Sequence, residues 1–151
     1  LETGVTIIKM DEKMDHGPIL AQEEVPINPW PDHYEVVEEK LARAGGKLLV
    51  SNIGSLTKGQ PQDDSKATYT KLIKTDDALL NLNDSPEINL RKVFAYSTSP
   101  GAYMFFKSKI GKEIRIVIKD AEIKGGKFVP TSVIPAGKRE MDWSAFLHGN
   151  S

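Results

Sequence analysis

Gly4-Val5-Thr6-Ile7-Ile8-Lys9-Met10-Asp11-Glu12-Lys13-Met14-Asp15-His16-Gly17-Pro18-Ile19-Leu20-Ala21-Gln22 is the stretch on which the reading of this chain turns. Val5 to Ile8 is a run of β-branched residues and predicts a strand. Asp11 to Pro18 is polar and closes on a Gly-Pro turn signal. Ile19 to Gln22, continuing to Val25-Pro26, predicts a second strand. Two strands around a loop are not stable alone and need more sheet or a helix to cover them. The loop gathers Asp11, Glu12, Asp15, His16 and Gly17 between two apolar strands. A loop at the end of a strand is where an α/β sheet presents side chains and backbone donors to a ligand. Periodicity alone favours the plainer reading, a charged hairpin turn.

Downstream, Pro29-Trp30-Pro31-Asp32 predicts a turn that enters a helix, with Asp32 and Glu35 at capping-box spacing. Val36, Val37, Leu41 and Ala44 recur at helical spacing, and Gly45-Gly46 predicts the end or a break of that helix. Leu48, Leu49, Ile53 and Leu56 form a second apolar stripe, stopped by Gly59 and Pro61. Residues 60–85 are turn-rich and polar and read as a linker, with Leu72, Ile73, Leu79 and Leu80 as its anchors. A helix is predicted from about Pro86 to Tyr96, because Pro suits a first turn.

From Ala102 the apolar period becomes two. Ala102 to Phe106, Glu113 to Lys119 and Lys127 to Ile134 predict strands, and Gly125-Gly126 predicts a tight hairpin turn. Several short strands within about fifty residues predict a small barrel or an open sheet. Met141, Trp143, Phe146 and Leu147 predict a short closing helix.

The 151 residues have 39% hydrophobic and 27% charged content, the composition of an ordinary folded chain. They contain no cysteine, so disulfides, thiol chemistry and Cys-ligated zinc have no residues to use. No apolar run is long enough to span a bilayer, and no secretory signal opens the chain, so a cytoplasmic protein without a membrane is expected. Leu1 stands where a Met would begin a natural chain, and a strand follows at once, so more protein is expected upstream. The net charge of -1 conceals a division. Residues 1–90 hold nine Lys/Arg against sixteen Asp/Glu, a net of −7. Residues 91–151 hold eleven against five, a net of +6. A basic second half is a candidate surface for a polyanion. There is no phosphate loop, no dinucleotide-binding glycine pattern, no nucleophile elbow and no paired-His helix. His16, His33 and His148 are far apart in sequence, and no metal site is expected.

The opening block, Thr3 to Asp11 followed by Met14-Asp15-His16-Gly17-Pro18-Ile19-Leu20, resembles the folate-dependent formyltransferases. The resemblance continues through Lys40-Leu41-Ala42, Gln62-Asp63-Asp64-Ser65-Lys66-Ala67-Thr68-Tyr69 and Ser99-Pro100-Gly101-Ala102-Tyr103. It ends on Pro135-Ala136-Gly137-Lys138-Arg139-Glu140-Met141 and Phe146-Leu147-His148-Gly149. The linker and the Pro-Ala-Gly-Lys segment are similar to the methionyl-tRNA type.

That resemblance implies an α+β chain in three parts. Residues 1–59 would be the carboxyl-terminal remnant of a Rossmann-like α/β formyltransferase domain, 60–85 a linker and 86–151 a small OB-like β-barrel. The implied reaction moves formyl from 10-formyltetrahydrofolate to the amino group of initiator methionyl-tRNA. Asp15 falls on the family's catalytic aspartate. Asp11, Glu12, Lys13 and Met14 fall on the folate-lining loop, with Thr6 supporting it. Lys107, Lys109, Lys112, Arg115, Lys119, Lys124, Lys127, Lys138 and Arg139 become candidates for tRNA phosphates. Tyr103, Phe105 and Phe106 are candidates to stack on bases, although alternation must place at least one in the core. The family's catalytic Asn and His have no counterpart in these residues, so the chain alone is expected to be inactive. Its uncovered sheet edge is a candidate for self-association. Two other readings stand beside this one: a stand-alone RNA-binding accessory protein, and part of a sugar-nucleotide formyltransferase.

Overall fold

The computed structural model describes residues 2–54 and 58–150. The chain divides into two compact units, one built from Leu1–Asn28 and Val36–Leu72, the other from Pro29–Glu35 and Ile73–Ser151. In the first, β1 (Gly4–Ile8) pairs antiparallel with β2 (Ile19–Glu24), setting Gly4 opposite Glu24 and Thr6 opposite Gln22. Val5 and Ile7 are half-buried while Gly4 and Thr6 are exposed, the period-two alternation of a strand with one covered face. Helix α1 (Tyr34–Asn52) enters this unit from Val36 onward.

The expected break at Gly45-Gly46 does not occur, and α1 runs through both glycines. Val37, Leu41, Ala44, Gly45 and Leu48 make one covered stripe at helical spacing, which only Leu48 of the second sequence stripe joins. A Cβ on Gly45 would lie 3.8 Å from the Val5 side chain, an ordinary contact, so this stretch of the helix faces β1 and the site has room for alanine. Each helical glycine costs about 1 kcal/mol relative to alanine, and this packing outweighs that cost. Leu49, Val50 and Ile53 are exposed, and Leu56 lies outside the described residues.

The second unit holds β3 (Tyr103–Lys107), β4 (Glu113–Lys124), β5 (Lys127–Pro135) and β6 (Met141–Asp142) in that order, each antiparallel to the next. Helix α2 (Pro86–Ala95) starts where the Ser85 hydroxyl accepts from the Ile88 backbone N–H, with Pro86 in the first turn. Helix α3 (Trp143–Asn150) follows β6 directly. Val93 of α2, Met104, Ile116, Ile118 and Val133 of the sheet, and Phe146 of α3 form the core. Gly125 and Gly126 sit at φ of 57° and 72°, the left-handed pair that a two-residue hairpin with the strands' own twist requires.

Two expectations are corrected here. The OB-like barrel is not closed: among the described residues β3 and β6 are the end strands of a four-stranded sheet, and the outer side of β3 is bridged only at Tyr103, by Leu79 and Leu80. The β6 edge is only two residues long, and α2 and α3 cover the core face that further strands would cover in a barrel. Of the expected linker anchors, Leu80 is buried, its N–H bonded to the Tyr103 carbonyl at 2.8 Å, whereas Leu72 and Ile73 are exposed. No helix of the described residues is long and apolar enough to cross a membrane.

Ile116 is fully buried between both helices and the neighbouring strands. Ile116→Ala is expected to destabilise the second unit by about 2–5 kcal/mol. Urea unfolding followed in the near-ultraviolet signal of Trp143 measures it, and a loss below about 1 kcal/mol would contradict the packing described.

Candidate functional site

The loop between β1 and β2 is closed at its neck. The Lys9 N–H donates to the Pro18 carbonyl at 3.0 Å, and a Cβ on Gly17 would fall 1.6 Å from the Lys9 carbonyl oxygen. No side chain fits there, which fixes glycine at position 17. Residue Gln60 then joins the hairpin through two 2.8 Å backbone bonds with Ile19. Two residues on, the Gln62 amide nitrogen donates to the carbonyls of Asp15, at 2.8 Å, and Gly17, at 2.7 Å. Segment 60–70 is thus strapped along the loop. Between them lies a groove of about 1010 Å³, walled by Lys13, Met14, Asp15 and His16 on one side and Gln62 and Asp64 on the other.

Asp15 is the one non-glycine residue at positive φ among those described, at 52°. Asp tolerates this region better than most residues. Its side chain is exposed on the groove wall, and its backbone is held by Gln62. His16 is held from both sides by acids. Its Nδ1 lies 2.6 Å from Asp11 Oδ2, and its Nε2 lies 3.2 Å from Asp64 Oδ2. The Asp11 hydrogen bond, then the Asp64 charge, raise the His16 pKa above its ordinary 6.5. The same His16 bond, then the Lys13 backbone N–H at 2.9 Å, lower the Asp11 pKa. The carboxylate beside His16 is therefore Asp11, and Asp15 is left to the groove.

Among the expected folate-loop residues, Lys13 and Met14 wall the groove, whereas Asp11 and Glu12 do not line it. Thr6 sits on β1 with its hydroxyl accepting from Gln22 at 3.0 Å, so it joins the two strands and does not line the groove either. Gln62 and Asp64 are partners of the loop that local sequence patterns do not reveal. Their only sequence signal is the Gln-Asp-Asp run itself, some 45 residues away. No group of three or more His, Asp or Glu among the described residues is placed to hold a metal ion.

In the second unit eight of the nine basic candidates fall in three places, Lys119 standing apart. Lys109, Lys112, Arg115 and Lys138 line one groove of about 640 Å³ beside α3. Lys124 and Lys127 flank the β4–β5 turn. Lys107 and Arg139 are exposed on β3 and after β5. None of Lys107, Lys109, Lys112, Lys124, Lys127, Lys138 or Arg139 has an ion-pair partner among the described residues. Two candidates are engaged. The Lys119 Nζ donates to the Ser97 carbonyl at 2.9 Å, and the Arg115 guanidinium lies 4.0 Å over the Tyr103 ring.

A two-stranded hairpin covered by a helix, with an acidic strand-end loop, joined to an antiparallel sheet unit, has known counterparts. The chain belongs to the formyltransferase family: residues 1–53 match the family model described as "Formyl transferase". Along 97% of its length it is 33% identical to the "Methionyl-tRNA formyltransferase" of Chloroflexus aurantiacus. The chain spans 55% of that relative's length. Its fold matches a methionyl-tRNA formyltransferase from Clostridium thermocellum over 93% of this chain and 57% of that one, with a TM-score of 0.68 and 15% identity. It also matches HypX from Aquifex aeolicus in complex with tetrahydrofolic acid over 95% of this chain and 29% of that one, with a TM-score of 0.62 and 18% identity.

The His16 geometry has a pH signature. A pKa raised in the folded state means that protonated His16 adds stability below about pH 6.5, lost as pH rises through the folded value. The His16 ring protons are expected to titrate with a midpoint above 6.5, and Asp11→Asn to bring that midpoint down. Proton NMR measures both, and an unchanged midpoint in the variant would remove Asp11 as the cause.

Proposed function

We propose that this chain forms the carboxyl-terminal part of a methionyl-tRNA formyltransferase, acting in translation initiation in the cytoplasm. The observation that carries this reading is the 33% identity to such an enzyme along 97% of the chain. The co-substrate is 10-formyltetrahydrofolate, which supplies the formyl group. The groove beside segment 60–70 suits such a donor, because it sets the exposed Met14 side chain beside the exposed carboxylate of Asp15. Lys13 and Met14 line the groove, Asp11 acts behind them by accepting from the Lys13 backbone N–H and holding His16, and Thr6 acts at a distance by joining β1 to β2.

Asp15 is the catalytic residue in this reading. The attacking amine must lose a proton as its new C–N bond forms, and the Asp15 carboxylate is the acceptor this chain offers. The carbonyl oxygen gains negative charge in the same step and needs donors aimed at it. Collapse of that charge then breaks the formyl C–N bond to the folate, whose nitrogen takes up a proton and leaves as tetrahydrofolate. The family's Asn and His fill the donor role by resemblance, and they lie outside these residues. The chain alone therefore transfers no formyl.

Acceptor binding falls to the second unit, whose unpartnered Lys107, Lys109, Lys112, Lys124, Lys127, Lys138 and Arg139 meet tRNA phosphates, with Arg115 and Lys119 as held members of the same set. Each phosphate contact releases counterions, so about four contacts predict a loss of roughly a hundredfold in affinity between 50 and 200 mM salt. Filter binding of the 151-residue chain to tRNA reads this, and salt-independent binding would contradict it. Asp15→Ala is expected to leave that affinity unchanged. In a chain extended to its relatives' length, the same change should lower kcat by about 100-fold or more. Near-normal turnover there would remove Asp15 from the chemistry.

A further inference from the structure

The sheet of the second unit has two unlike faces. On β3 and β4, Met104, Phe106, Ile114, Ile116 and Ile118 turn toward the helices and the core. The opposite face carries Tyr103, Phe105 and Lys107 on β3, and Arg115 on β4 directly across from Phe105. Tyr103 is 6% exposed, with the Arg115 guanidinium stacked over its ring. Phe105 is 49% exposed and meets the edge of Tyr103 at 5.8 Å between ring centroids. Phe106, the third aromatic of the run, is taken by the core against Trp143 and Phe146. One aromatic ring is thus presented to solvent, braced by a second ring and a cation, with unpartnered Lys107 two residues along the strand. Glu113 stands opposite Lys107 and is the acid of this patch.

We propose that Phe105 is a stacking platform for one unpaired base of an RNA strand, with Arg115 and Lys107 beside it. This deepens the tRNA-binding reading above and rests on it. The strand backbone holds the ring in place before binding, so little side-chain freedom is lost when a base stacks on it. Every base offers a π-face, so the platform accepts any unpaired base and discriminates single strand from duplex, whose bases are already stacked. The net +6 of residues 91–151 favours a nucleic acid as the occupant over an apolar protein surface.

The test uses the 151-residue chain with a single-stranded RNA 12-mer and a blunt RNA duplex of equal charge. Phe105→Ala is expected to weaken the single strand about tenfold, within the range measured for base–aromatic stacks, and to leave the duplex and the salt slope unchanged. Phe105→Trp should retain affinity and show fluorescence quenching when the single strand binds. Equal affinity of Phe105→Ala for the single strand, with salt-dependent binding intact, would overturn the platform and leave the tRNA reading standing. So would parallel losses on strand and duplex, or an unquenched Phe105→Trp. Failure of the parent chain to bind either RNA would overturn both.

Discussion

One amide nitrogen, that of Gln62, donates to two carbonyls of the β1–β2 loop, and the candidate site depends on that fork. The Asp15 backbone sits in a region that L-residues populate at a cost of about 1–2 kcal/mol, and two hydrogen bonds to the loop's own carbonyls offset it. With the backbone so held, the exposed Asp15 side chain stands on the groove wall. Gly17 makes the turn possible by leaving no Cβ against Lys9, and the Ile19–Gln60 pairing brings Gln62 within reach. His16 adds a charge-dependent tie on the same strap, because Asp11 belongs to the loop and Asp64 to the segment that carries Gln62. Shape thus comes from the Gln62 amide and the backbone pairing, and the His16–Asp11 pair adds a pH-sensitive tie.

What the sequence discloses follows the range of the interaction concerned. The hairpin strands, the Pro86 helix start and the Gly125-Gly126 turn depend on neighbours within a few residues, and each is formed where local chemistry predicts. Gly45-Gly46 reads as a helix stop for the same local reason, yet α1 continues through both, carried by the covered stripe that runs from Val37 to Leu48. Sheet closure is a global property: alternating apolar residues specify strands and a covered face, but not whether the last strand returns to the first. The loop's acids were visible as a group. That His16 belongs to Asp11 and Asp64, leaving Asp15 free, rests on partners up to 48 residues apart, which no periodicity encodes.

The same division applies to the basic half. Counting charge gives the sign of the second unit's surface, not which cations are free. Arg115 and Lys119 look like their neighbours in the sequence, yet one is stacked on Tyr103 and the other tied to the Ser97 carbonyl. Those two are held in place, whereas Lys107, Lys109, Lys112, Lys124, Lys127, Lys138 and Arg139 have no ion-pair partner among the described residues. Such charges supply affinity and steering without reading sequence.

Under the proposed function, a surface of that kind would bind one RNA about as well as another, so phosphate contacts alone would not select an acceptor. Selection requires a term that differs between RNAs, and an unpaired base is the simplest such difference available to a sheet face. A fixed ring discriminates by whether a base is available to stack, a property of the RNA's shape. In the proposed enzyme this shape term and the chemical term at Asp15 are separable, since the two belong to different compact units of the chain. An acceptor held by charge alone would gain no preference at the amine. One held by charge and shape together arrives with its orientation partly fixed, the condition under which a positioned carboxylate adds to rate.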